Sequence, residues 1–285
     1  MRSRLCSAIV AATALVAPAA AEIPLSEAPT GHLTAPVEVN GEPALFVVDT
    51  GAEGSAVYQA FARDRHLPAS GRQEKVQGQT GAADVTVRTI DRAVLDGWRT
   101  NGLHVVELPS RADGVPLAGI IGLDAIGRHV LDFDPTRRRM AVLDAAAGRR
   151  LAATLGRPTL ARRLRGGLFA VRVRINGVAG WGVIDTGARE TRINGRFARQ
   201  ARLRLGTSRD VVHGATQTAL MQRSATARRL TFLGKRLANI QLKVADLPVF
   251  RELGLAAGPA MLIGIDRLRA HRLVIDISGS RVWLL

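Results

Sequence analysis

The sequence predicts an all-β protein built as two similar halves with a few short helices. Three observations carry that expectation. A segment near the start of the chain recurs without gaps in the second half. The apolar runs are short and separated by Gly, Asn and Pro, as strands between turns are. Hydrophobic residues make up 47% of the 285 residues and aromatics only 4%, which leaves Val, Leu, Ile and Ala to build the interior.

The first 21 residues stand apart from the fold. Arg2 and Arg4 form a basic start, Leu5 to Ala17 is uncharged and apolar, and Ala19-Ala20-Ala21 precedes Glu22. That order is the layout of a secretory signal peptide, so the mature chain is expected to be periplasmic or secreted. The uncharged run is slightly short for a membrane span, and an uncleaved N-terminal anchor is the alternative. Cys6, the one cysteine, lies in this segment, so the mature chain has neither a disulfide nor a thiol nucleophile.

The repeat begins at Val39-Asn40-Gly41, matched by Ile175-Asn176-Gly177, and runs to Leu67 and Leu203. From Asn40 to Leu67, 11 of 28 positions are identical, including Asp49-Thr50-Gly51-Ala52 with Asp185-Thr186-Gly187-Ala188. It resumes at Ile121-Gly122-Leu123-Asp124 and Ile263-Gly264-Ile265-Asp266, then at Val130–Phe133 and Val274–Ile277. Residues 22–148 and 159–285 are therefore expected to form two lobes, with 149–158 as linker; the surrounding Ala-, Gly- and Arg-rich stretch suits a short helix or a linker.

Within each copy the elements follow in order. Asn40-Gly41 is a hairpin turn signal between two apolar runs. Ala44–Val48 reads as a strand buried on both faces, and Gln59–His66 as a short helix. Asp84–Arg88 alternates as a half-exposed strand does.

A strand ending in Asp-Thr-Gly is, seen once, ordinary turn chemistry. Seen at the same place in both halves of a pseudo-symmetric chain, it places Asp49 and Asp185 together across a two-fold axis. Two carboxylates held that close cannot both ionise, so the pair offers an acid and a base at once. Such a pair can activate water on a peptide carbonyl with neither metal nor covalent intermediate.

The two Asp-Thr-Gly-Ala motifs, each followed by Ile120-Ile121-Gly122 or Leu262-Ile263-Gly264, resemble the retropepsin-like and pepsin-like aspartic peptidases. The resemblance spans both halves and implies a closed β fold in each lobe, with the cleft between lobes. It implies Asp49 and Asp185 as the catalytic dyad, Thr50 and Thr186 as braces between the two catalytic loops, and Gly51 and Gly187 as glycines that let N–H groups reach the carboxylates. Ala52 and Ala188 match the retropepsin side of the family; without a hydroxyl there, the dyad should be less acidic and work towards weakly acidic or neutral pH. Hairpin flaps fall at 76–81, with Gly78 and Gly81, and at 212–216, with Gly214. Tyr58, the one tyrosine, precedes the first flap, so the flap tyrosine of pepsins is missing.

The implied activity is that of an aspartic endopeptidase acting on protein or peptide substrates, without cofactor or metal, as a monomer equivalent to a fused dimer. The alternative is an inactive peptide-binding or scaffolding module of the same fold. No Gly-x-Ser-x-Gly, His-Glu-x-x-His or Walker A motif is present. A two-carboxylate glycosidase would leave the repeat unexplained. The net charge of +16 is read as a solubilising surface, with weak attraction to anionic surfaces as the sharper reading. Its scattered arginines and export speak against nucleic-acid binding.

Overall fold

The computed structural model describes residues 22–95, 98–111, 113–216 and 218–285. The expected signal segment 1–21, with Cys6, lies outside the described residues. Each half folds into an eight-stranded sheet curled onto itself. In the N-terminal half, strand Leu33–Val39 pairs with its hairpin partner Glu42–Val48 and also with the long strand Ala82–Leu95. In the C-terminal half, Phe169–Ile175 makes the same two pairings, with Val178–Ile184 and with Ala219–Phe232. The second pairing closes each sheet into a barrel-like lobe, so the fold is all-β and two-lobed.

Both opening hairpins turn where the Asn-Gly pairs predicted. Asn40 and Gly41 sit at φ 51° and 95°, and Asn176 and Gly177 at φ 48° and 91°. Positive φ at both central residues gives a turn whose twist matches that of the flanking strands. Strand Glu42–Val48 differs from the sequence expectation. Only Phe46, Val47 and Val48 are buried, while Leu45 is 42% exposed, because the strand leaves the core towards its turn.

The end of that strand matters most. Val48 pairs in parallel with Ile121, and Ile184 pairs in parallel with Ile263. The chain then leaves the sheet at Asp49 and Asp185, whose N–H groups still donate to the carbonyls of Ile121 and Ile263, each at 3.0 Å. Thus the Ile-Gly segments of the repeat are the strands that anchor the two aspartate loops.

The halves also share a third sheet of six strands, which the sequence reading did not foresee. Val130–Asp134 from the first half pairs antiparallel with Leu273–Asp276 from the second, Leu131 facing Ile275. Arg272 donates to both carboxylate oxygens of Asp132, at 2.7 and 2.6 Å, across the same seam. The buried core continues through this seam from one lobe to the other. Helix Ala145–Thr154 caps the sheet, its N-terminus closed by Asp144, which accepts from the N–H of Ala147 at 2.7 Å. Leu151 and Leu155 pack on Val274 and Trp283. The helix therefore runs through the 148/149 boundary and into the expected linker. Among the described residues no helix is long and apolar enough to cross a membrane.

Candidate active site

The two aspartate loops meet at the floor of a cleft of about 1490 Å³ between the lobes. Each loop is locked to the other by its threonine. Thr50 Oγ1 donates to the Ile184 carbonyl at 3.0 Å and accepts from the Thr186 N–H at 3.2 Å. Thr186 Oγ1 donates to the Val48 carbonyl at 2.7 Å and accepts from the Thr50 N–H at 3.0 Å. All four contacts are buried, so each hydroxyl satisfies backbone groups that water cannot reach.

The glycines pack across the axis. A Cβ on Gly51 would collide with the Asp185 carboxyl, and one on Gly187 with the Asp49 carboxyl. Within its own loop, Asp49 Oδ1 accepts from the Gly51 N–H at 2.8 Å, and Asp185 Oδ1 accepts from the Ala188 N–H at 2.8 Å. Asp185 is buried and Asp49 half-buried, and the two carboxyl groups hydrogen-bond each other. Burial pushes Asp49 above the usual carboxylate range. Burial pushes Asp185 further up, and the adjacent charge of Asp49 adds to it.

A second tier repeats in both lobes. The Ser55 hydroxyl donates to Asp124 Oδ1 at 2.7 Å and accepts from the Gly122 N–H at 3.1 Å. The Thr191 hydroxyl donates to Asp266 Oδ1 at 2.7 Å and accepts from the Gly264 N–H at 3.1 Å. Each pair ties the aspartate loop to the Ile-Gly strand. Both hydroxyls stand six positions after their aspartate, and both acids recur in the repeat, so the duplicated sequence itself carries this signal.

Hairpins Ala69–Gln77/Ala82–Leu95 and Leu205–His213/Ala219–Phe232 lie over the cleft. Their tips carry Gly78, Gly81 and Gly214 and touch each other. The Gly214 N–H donates to Thr80 Oγ1 and Thr216 Oγ1 donates to the Gly81 carbonyl, each at 3.1 Å. Gln79 reaches down from the first tip and donates from Nε2 to Asp185 Oδ2 at 3.1 Å.

His32 and Arg192 also line the cleft, and neither was singled out from sequence. His32 Nδ1 lies 2.7 Å from Thr30 Oγ1, and the ring hydrogen-bonds the backbone of Gly187. Burial, with Arg111 and Arg189 nearby, lowers its pKa to about 4, so it is neutral at physiological pH. These residues have no twin in the repeat: Leu168 and Ala56 stand at the aligned positions. Among the described residues no group of three or more His, Cys, Asp or Glu is placed to hold a metal ion.

A family model described as aspartyl protease matches residues 35–125 and, separately, residues 171–267. The two matches fall one in each lobe and each contains one Asp-Thr-Gly loop with its Ile-Gly strand. No curated protein matches the chain. With both halves matched, the chain belongs to the aspartyl protease family, in a retropepsin-like form that carries its two lobes on a single polypeptide.

Proposed function

We propose that the protein is an endopeptidase that hydrolyses peptide bonds with water activated between Asp49 and Asp185. The observation that carries this reading is the crossed packing of the two loops, each glycine lying against the other lobe's carboxyl group. With burial disfavouring two charges, one proton is shared. Asp185 holds it and donates to Asp49, the direction favoured by its burial together with the adjacent charge of Asp49.

In the reaction, ionised Asp49 takes a proton from water as the oxygen attacks the peptide carbonyl. Asp185 gives its proton to the carbonyl oxygen, and a neutral tetrahedral diol forms. Asp49 then passes its proton to the nitrogen while Asp185 recovers one from a diol hydroxyl. The C–N bond breaks, releasing an acid and an amine. Thr50 and Thr186 contribute by fixing the loops, and Gly51 and Gly187 by allowing their approach. The flap tips carrying Gly78, Gly81 and Gly214 open to admit the peptide, and Gln79 must leave Asp185 as it enters.

The expected setting is outside the cytoplasm, supported by the basic and apolar N-terminal segment. The two lobes and their shared sheet support a monomer that needs no second copy to complete the dyad. The test is cleavage of an unfolded protein by the wild type and by Asp49→Asn and Asp185→Asn. Each substitution should lower kcat/KM by about 10³-fold or more, since it removes one of the two proton-transfer groups. Undiminished cleavage by either variant overturns the dyad, and no cleavage by the wild type supports the inactive binding module.

A further inference from the structure

The strand registers of the two lobes correspond around the cleft, so wall positions in one lobe have counterparts in the other. Three wall positions are apolar in both lobes: Val47 and Val183, Val76 and Val212, Ile120 and Leu262. Three adjoining strand positions change character. Ala56 and Arg192 occupy equivalent places, since each pairs antiparallel with its Ile-Gly strand, opposite Ile120 and Leu262 respectively. Across the parallel neighbour, Ala56 faces Val106 where Arg192 faces Lys243. On the next strand Val106 lies opposite Val87 where Lys243 lies opposite Ser224, which makes Val85 the counterpart of Gln222. Ala56, Val85 and Val106 in one lobe are therefore Arg192, Gln222 and Lys243 in the other, and of these Ala56 and Val106 line the cleft on the first side and Arg192 and Gln222 on the second.

Arg192 is only 4% exposed, yet its side chain lines the cleft. Its Nε donates to Gln222 Oε1 at 3.0 Å, one Nη to the Glu190 carbonyl at 3.1 Å, and the other to Glu190 Oε2 at 2.9 Å. A guanidinium has five N–H donors, so among the described residues two remain unused. Gln222 is buried as well, and its carboxamide NH2 adds donors beside them. Glu190 is 40% exposed at its side chain and can turn to water when another acceptor arrives. Lys243 is drawn the other way, to Asp210 at 2.8 Å.

We infer that Arg192, held by Gln222, determines specificity. The C-terminal lobe takes a substrate side chain bearing an acceptor oxygen, that of Glu or Gln, while the N-terminal wall takes an apolar one. The inference rests on the peptidase reading of the cleft. Buried donors reject a side chain that leaves them unpaired much more strongly than an apolar pocket rejects a small change of shape.

The test is binding, so that it reads separately from catalysis. Statine-core peptides carry Glu, Gln or Leu at each flanking position in turn, and affinities are measured for the wild type, Arg192→Leu and Gln222→Val. At one position Glu and Gln should bind about tenfold tighter than Leu, the worth of a charge-assisted hydrogen bond. Glu above Gln identifies pairing with the charge of Arg192; Gln equal to or above Glu identifies hydrogen bonding with Glu190 still in place. In Arg192→Leu the ranking at that position should reverse, and in Gln222→Val the preference should weaken. Leu favoured everywhere by the wild type, no binding by any peptide, or an acceptor preference that survives Arg192→Leu overturns the inference. The wild-type ranking decides it even where a variant does not fold. Loss of cleavage with the ranking intact would instead count against the proposed activity alone.

Discussion

In the N-terminal lobe Asn40 Oδ1 accepts from the Arg92 N–H at 2.9 Å, and in the C-terminal lobe Asn176 Oδ1 accepts from the Arg229 N–H at 3.1 Å. Ser55–Asp124 and Thr191–Asp266 match in the same way, as do the reciprocal threonine contacts. The lobes part company elsewhere. Asn194 caps the short helix Gly195–Gln200 through the Phe197 N–H at 2.9 Å, whereas Tyr58 before Gln59–Asp64 offers no side-chain cap. Asp185 is more deeply buried than Asp49, and Arg192 and Gln222 stand where the N-terminal lobe has Ala56 and Val85. Groups that fix the aspartate loops therefore come in matched pairs, while groups facing the cleft match only in part, as Val47 and Val183 do and Ala56 and Arg192 do not.

Among the residues that fix the loops, the largest effects are expected at the glycines. Gly51→Ala and Gly187→Ala each put a methyl into the opposite carboxyl, so both should lower kcat/KM by at least about 10²-fold, the cost of misplacing a reacting group by about 1 Å. Equal losses are expected. A variant with near-normal activity would show that its loop approaches the axis less closely than its partner.

Next come the threonines. Thr50→Ala and Thr186→Ala each strip a hydroxyl from two buried backbone groups and should destabilise by roughly 2–3 kcal/mol in urea unfolding. Because the two hydroxyls form one network, the double variant should cost clearly less than the sum. Strict additivity would argue that each threonine acts within its own lobe.

The smallest effect concerns the aspartates and is where the lobes should differ. Burial raises both carboxyl groups, so above the unfolded value near 4 the folded state binds more protons than the unfolded one. The contribution of these two groups to stability is then greatest at low pH and falls as pH rises. A neutral carboxamide removes that loss. Asp185→Asn should raise Tm at pH 7 by about 2–4 °C and Asp49→Asn by less, with both gains shrinking at acid pH. A larger gain from Asp49→Asn would reverse the assignment of the shared proton.

Much of this was legible in the sequence, because a duplicated chain displays its constraints twice. The hairpin turns at Asn40 and Asn176 and the Asp-Thr-Gly loops followed from local chemistry that needs no tertiary context. The shared six-stranded sheet did not follow. Val130–Phe133 and Val274–Ile277 read as strands, but nothing in either run names the other as its partner. The exposure of Leu45 was missed because an apolar run cannot reveal that its strand is leaving the core. His32, Gln79 and Arg192 were missed for the opposite reason, since each lacks a counterpart and only the folded cleft brings it to the dyad.

In the proposed reaction one site, shared by both lobes, carries the chemistry. Calorimetric titration of the wild type, Asp49→Asn and Asp185→Asn with pepstatin measures it most directly. One pepstatin should bind per wild-type chain, and either substitution should abolish or severely weaken that binding. Two sites per chain, or full affinity in either variant, would rule out a single site shared by the lobes.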